Sequence, residues 1–261
     1  APISSNAYES RGEIRKQVAD YQGAKEDFDK AIRLDAQNAG AYSSRGIINL
    51  ELGNFKPALA DANKAISIQP KSAVTYISRG FILSRMGETQ AAIEDYNKAI
   101  SLDAKNVFAY AQRSLSYGQL RDYQKALADI NKAISINPQD SSLYSSRGLI
   151  LFYMGDKTAA AADITKAINQ NPDAGAYMRR ANIRVDLGDK KGALADADKA
   201  INLNPQNAFF YSTRAEIRKK LGDNQGAIAD YNQGLSNQPQ NPEIYQGRAF
   251  LRFSQKYTPG A

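Results

Sequence analysis

Eight arginines recur along the chain at a near-constant interval: Arg11, Arg45, Arg79, Arg113, Arg147, Arg180, Arg214 and Arg248. Sixteen residues after each of the first seven stands an aspartate: Asp27, Asp61, Asp95, Asp129, Asp163, Asp196 and Asp230. A guanidinium is a rigid fork of donors that grips a carboxylate or a phosphate through two hydrogen bonds. The two columns therefore offer two chemistries, an anion-binding face or a repeated internal ion pair. Identity in every copy favours the ion pair, because binding seldom needs the same residue in each unit, end units included. The pairs expected to hold the framework are Arg45–Asp61, Arg79–Asp95, Arg113–Asp129 and Arg147–Asp163, with their equivalents elsewhere.

Other chemistry is sparse. With no histidine and no cysteine in 261 residues, imidazole bases, thiolate nucleophiles, disulfides and the usual zinc, haem and iron–sulfur ligands are excluded. No GxSxG, P-loop or dinucleotide glycine pattern occurs. Carboxylates are plentiful, but no Asp-x-Asp-x-Asp loop with a closing glutamate appears. No catalytic residue, cofactor or metal is therefore expected, and the chain reads as a non-enzyme. Apolar residues make up 43% of the composition, enough for a folded core, and no run approaches the ~18 apolar residues of a membrane span. The first residues, Ala1-Pro2, lack an initiator Met, which suggests a processed product or a fragment. Localisation stays open between the cytoplasm and export after processing.

The elements that position the columns follow from the repeat. Tyr-x-x-Arg-(Gly/Ala/Ser) begins at Tyr8, Tyr42, Tyr76, Tyr110, Tyr144, Tyr177, Tyr211 and Tyr245, 34 residues apart except for one step of 33. Counting this tyrosine as position 4 gives seven units, 5–38, 39–72, 73–106, 107–140, 141–173, 174–207 and 208–241, then a partial eighth from 242. Apolar or small residues at positions 4, 8, 11 and 14, then 20, 24, 27 and 28, have the 3–4 spacing of two amphipathic helices. Gly53, Gly87, Gly188 and Gly222 supply the left-handed residue that ends the first helix. Ala19 and Arg121 stand in that place in two units, so a less sharp turn is expected there. Asn38, Ser72, Asn106, Asp140, Asp173, Asn207 and Asn241 stand where the next helix needs its N-cap. Alanine at position 20 and alanine or glycine at position 27 allow close helix approach, with the position-4 tyrosine expected to fill the space left. Isoleucines at positions 10 and 28 would form the seam between units.

A 34-residue helix–turn–helix unit with small residues at 8, 20 and 27, an aromatic at 4 and proline at 32 resembles the tetratricopeptide repeat (TPR). The Tyr-x-x-Arg-Gly and Ala-Asp-x-x-Lys-Ala-Ile flavour is similar to bacterial members, notably cyanobacterial ones. The resemblance implies an all-α, right-handed superhelical solenoid over residues 5–241, with an N-terminal extension 1–4, a capping helix 242–256 and a tail 257–261. It also implies a concave groove lined by positions 2, 5, 6, 9, 12 and 13 of the first helices. Reading those positions here gives Ile47, Leu50, Ile77, Phe81, Phe108, Leu115, Leu149, Phe152 and Tyr153 as a central apolar patch beside Ser43, Ser44, Ser78, Ser145 and Ser146. Such a patch suits an amphipathic helix or an extended apolar peptide of a protein partner, held during assembly of a larger complex. The competing reading is that Phe81, Leu115 and Leu149 pack on the next unit and only edge into the groove. The family's two-carboxylate clamp is not expected, because only Arg179 and Asn182 match its pattern.

Nucleic acid is the alternative partner, less favoured. The formal charge is +7, and Lys30, Lys64, Lys98, Lys132, Lys166 and Lys199 recur at position 26. These lysines sit three residues beyond the aspartates, where each is expected to pair with its aspartate on a solvated ridge. RNA binding would call for basic and stacking residues interleaved in the groove, and they are missing. Membrane adsorption has no broad apolar outer face to use. Oligomeric state is not readable.

Overall fold

Each unit folds as two helices because its apolar positions recur every three or four residues and its ends carry capping chemistry. The structure, a computed structural model, describes residues 4–257. The first helices are α1 (Ser5–Gln17), α3 (Ala39–Glu51), α5 (Ala73–Arg85), α7 (Val107–Gln119), α9 (Ser141–Tyr153), α11 (Ala174–Asp186) and α13 (Ala208–Lys220). The second helices are α2 (Tyr21–Leu34), α4 (Phe55–Ile68), α6 (Thr89–Leu102), α8 (Tyr123–Ile136), α10 (Lys157–Gln170), α12 (Lys190–Leu203) and α14 (Asn224–Asn237). A last helix, α15, runs Pro242–Tyr257, one residue beyond the expected cap. Residues 1–3 of the N-terminal extension and 258–261 of the tail lie outside the described residues. Every unit start read from the repeat is the first residue of a helix.

The chain divides into two compact units, 1–137 and 138–261. In each, the two helices of a repeat pack on one another and the second helix packs on the first helix of the next repeat. This consecutive pairing is that of a helical-repeat solenoid.

The side chains of Asn38, Asn106, Asp140, Asp173, Asn207 and Asn241 accept backbone N–H groups of the helix they precede. Ser72 occupies the cap position without such a bond, and Thr75 Oγ1 instead donates to the Gln69 and Ser72 carbonyls. The inner turns bring a correction. Ala19 and Arg121 both adopt φ of 60°, in the same left-handed region as Gly53 and its equivalents. Their turns close with the same backbone bond, Asp20 N to Arg15 O and Asp122 N to Tyr117 O at 2.9 Å, beside Asn54 N to Asn49 O at 2.7 Å. The turn is thus equally tight, and the Cβ clash is carried as strain. Replacing Arg121 by glycine should raise stability by about 1 kcal/mol, read as a higher denaturation midpoint; a lower one would contradict the strain.

Alanines at positions 20 and 27 are buried throughout, as is Gly234. In three repeats an aromatic at position 24 shares that space, while Tyr8, Tyr76, Tyr177 and Tyr211 at position 4 pack on the core clusters from a half-buried place, as expected. Phe28, Tyr96 and Tyr231 are the largest fully buried side chains. A Cβ on Gly12 or Gly80 would meet the Phe28 or Tyr96 ring at 2.8 Å, so glycine at position 8 makes room for an aromatic at 24. Among the position-4 tyrosines, only Tyr144 is buried. The isoleucine seam is in place except at Ile14 of α1, which is exposed because no described helix precedes α1.

The Tyr96 hydroxyl is buried without a hydrogen-bond partner among the described residues, and burial pushes its pKa up. An unsatisfied buried hydroxyl costs about 1–3 kcal/mol. Tyr96→Phe should therefore stabilise the chain by about 1 kcal/mol in chemical denaturation. A loss of stability would show that the hydroxyl is paired after all.

Candidate functional site

The charged columns meet as the spacing requires. In all seven repeats the arginine Nε and Nη2 donate to the two carboxylate oxygens of the position-23 aspartate at 2.6–2.9 Å. Arg45–Asp61, Arg79–Asp95, Arg113–Asp129 and Arg147–Asp163 are among them, and every aspartate in the column is buried. The third arginine nitrogen, Nη1, reaches back to position 25 of the preceding repeat: Arg45 to Asp29, Arg79 to Asn63, Arg113 to Asn97, Arg180 to Thr165 and Arg214 to Asp198, at 2.5–2.9 Å. One guanidinium therefore joins two helices of its own repeat to the repeat before. Each also lies over its position-4 tyrosine, 5.2–6.0 Å from the ring centre. Such cation–ring contacts are favourable and tie each tyrosine to its arginine.

With the aspartates so engaged, none of the position-26 lysines closes an ion pair with them among the described residues, contrary to expectation. Lys30 and Lys166 lie over the Tyr8 and Tyr144 rings at 5.6 and 4.2 Å. The others are exposed on the second helices.

Hydrogen bonds from Arg11 hold the Asp27 carboxyl below the usual carboxylate range, outweighing the opposing effect of burial. A folded pKa below the unfolded one contributes stability that is present above roughly pH 4 and is lost as pH falls through the folded value. Acid titration of stability should be flatter below pH 4 for Asp27→Asn than for the wild type. Identical acid limbs would contradict the pairing.

The first-helix surface separates the apolar candidates into two groups. Phe108 and Leu115 project from α7 at 50% and 54% exposure, seven residues apart and hence on one helix face. Leu149 and Tyr153 on α9 are 39% and 58% exposed. Ile47 and Phe81 are half-buried against a cluster of Leu50, Ala58, Ala62 and Ile82, with the Arg85 guanidinium over the Phe81 ring. Phe152 packs beside Ala160 and Ile164, edge-on to Tyr153 at 5.8 Å. Leu50 and Ile77 are not surface residues: they are 5% and 9% exposed. Leu50 fills the room left by the small Ala62 at position 24, and Ile77 packs on Ala99 and Ala109.

Beside Leu149 the surface is polar. A cleft of about 400 Å³ is lined by Ser141, Ser142, Ser145, Ser146, Asn171, Asp173, Ala176 and Arg179. Arg179 Nη2 donates to Ser145 Oγ at 3.3 Å and lies 3.7 Å from Asp173, which itself caps α11. Ser145 and Ser146, read as polar neighbours of the patch, thus line this cleft between α9 and α11. The first and seventh repeats are charged on this surface: Glu13 pairs with Lys16 and accepts from Ser44, and Glu216 pairs with Lys219 and accepts from the Tyr231 hydroxyl. Burial works against the Glu216 carboxylate, but those two donors outweigh it and hold its pKa below the ordinary value. No helix among the described residues is long and apolar enough to cross a membrane.

Three family models, each described as tetratricopeptide repeat, match residues 11–73, 73–106, 114–179, 174–207 and 210–241. The chain belongs to the tetratricopeptide repeat family. A crystal structure of a tetratricopeptide repeat protein from Parabacteroides merdae has a TM-score of 0.70, with 21% identity over 96% of this chain and 100% of that one. A chain of the APC/C hetero-tetramer Cut9–Hcn1 has a TM-score of 0.74 and 17% identity; the match covers 94% of this chain and 47% of that one. YrrB, described as a TPR protein with an unusual peptide-binding site, has a TM-score of 0.56 and 20% identity over 72% of this chain and 97% of that one. At such identities these likenesses show the fold alone. Comparison with curated proteins finds no match.

Within this tetratricopeptide repeat chain, two exposed residues at position 2 went unremarked in the sequence: Val74 on α5 and Phe209 on α13. Their signal was the same column that contains Phe108. The position-25 column was missed as well, because Asp, Asn and Thr share a role there without sharing an identity.

Proposed function

We propose that the chain is a non-enzymatic scaffold that binds an amphipathic helix or extended apolar segment of a protein partner, and holds it in a larger assembly. The observation that carries this reading is the pair Phe108 and Leu115, two large apolar side chains half out of the surface on one face of α7. Val74 and Phe81 on the neighbouring α5 extend it. Apolar groups left in water at helical spacing suit a partner's apolar stripe. The peptide-binding site ascribed to YrrB and the multi-chain assembly of Cut9–Hcn1 support such a use of the fold. The absence of histidine and cysteine from the sequence supports a role without catalysis.

The test is affinity capture with the wild type and with Phe108→Glu/Leu115→Glu, both confirmed as folded by circular dichroism. Exposed positions tolerate the change, so melting should be nearly unaltered while captured protein is lost. Equal capture by both chains would refute the site.

A further inference from the structure

In three repeats the first helix carries a second arginine four residues after the first, and both converge on one aspartate. Arg15, Arg184 and Arg218 place Nη1 at 2.8–3.0 Å from Asp27, Asp196 and Asp230. The same Nη1 donates to the carbonyl of Gly23, Gly192 or Gly226 at 3.0–3.2 Å. The guanidinium also lies 3.4–3.6 Å from the aspartate that caps the second helix: Asp20, Asp189 or Asp223. The three second helices accordingly share the string Asp-x-x-Gly-Ala-x-x-Asp, at 20–27, 189–196 and 223–230. This string is the internal counterpart of an Arg-x-x-x-Arg helix.

The last helix repeats the receptor without the counterpart. Arg248 and Arg252 have the same four-residue spacing on α15. Arg248 is already held as its equivalents are, with Nη1 donating to Asn232 at 2.7 Å and the guanidinium 5.2 Å from the Tyr245 ring. Among the described residues no carboxylate meets its Nε and Nη2, no hydrogen bond or ion pair engages the exposed Arg252, and no helix covers this face. Tyr245 is correspondingly 46% exposed, where Tyr144 is buried.

We propose that α15 is a docking site for one helix of a partner protein bearing Asp-x-x-Gly-Ala-x-x-Asp. The final aspartate is clasped by Arg248 and Arg252, the glycine carbonyl accepts from Arg252, and the glycine-alanine step lets the backbones close over Ala249. Charge complementarity and three copies of the same joint within this chain specify the occupant. A second copy of the chain is disfavoured, because all seven of its own position-23 aspartates are already taken by its own arginines.

The probe is a labelled, helix-stapled peptide with the sequence of residues 222–238, titrated against the full chain by fluorescence anisotropy. Saturable binding is expected, weakened by roughly tenfold or more by Arg248→Gln/Arg252→Gln or by asparagine in place of the peptide's final aspartate. Phe108→Glu/Leu115→Glu should leave it unchanged. Both variants alter exposed or half-exposed side chains, so circular dichroism should show them folded. No binding to the wild type, or equal binding to Arg248→Gln/Arg252→Gln, would overturn the proposal. So would loss of binding only in Phe108→Glu/Leu115→Glu, or wild-type self-association abolished by Arg248→Gln/Arg252→Gln in sedimentation. Tighter binding of an RNA oligonucleotide to the same arginines would overturn it too.

Discussion

Replacing Phe28 by alanine is expected to destabilise the chain by about 4 kcal/mol. The ring is fully buried among Ala24, Ala31, Ala41 and Ile48, and its edge rests where a side chain on Gly12 would stand. Its neighbours are the small residues that already let the helix backbones approach, so they cannot move in to fill the space. The loss therefore combines the transfer energy of an aromatic ring with an uncollapsed cavity. Phe28→Leu keeps most of the volume and should cost about 1–2 kcal/mol. Urea denaturation followed by circular dichroism measures both. A small effect of Phe28→Ala would mean that this joint does not hold the repeat together.

Arg113→Leu is expected to cost about 3 kcal/mol. Asp129 is buried and takes both its charge-assisted hydrogen bonds from Arg113, so the variant strands a carboxylate without a cation. It also removes the donor to Asn97 on α6 and the cation that lies over Tyr110 and Tyr117, so contacts within and between repeats are lost together. Much of the penalty is the desolvated aspartate rather than the worth of the pair. The double variant Arg113→Leu/Asp129→Leu should therefore recover most of it, because an apolar pair can occupy the same space. Unchanged or higher stability in Arg113→Leu, with Asp129→Ala equally harmless, would show that the column is not structural.

Where side-chain identity and period coincide, as in the arginine and aspartate columns, the sequence was sufficient: two residues sixteen apart on facing helices had to meet. Register also located the helix starts. It failed where local volume decides. Leu50 belongs by position to the concave face but turns inward, because Ala62 leaves the core short of bulk; in the repeats with Phe28 or Tyr96 that space is filled. Ile77 is buried for a different reason, packed between Ala99 of its own repeat and Ala109 of the next. The tyrosine at position 4 packs on the core as read, with one face also taken by the guanidinium three residues later. Ala19 and Arg121 adopt the left-handed turn conformation even without glycine, which residue type alone does not reveal. The exposed face of α7 was legible because Phe108 and Leu115 stand seven residues apart, on one side of the helix.

The formal charge also finds its place. The arginine and lysine columns together exceed the aspartate column by seven, so the net +7 resides in the repeating framework. On this account recognition takes place on the first-helix face and not along the lysines of the second helices. Site-specific photocross-linking tests that most directly, with benzoylphenylalanine placed at Leu115 in one chain and at Lys98 in another. The account predicts a protein adduct from position 115 and none from position 98. An adduct from position 98 alone, or one dissolved by nuclease, would contradict it.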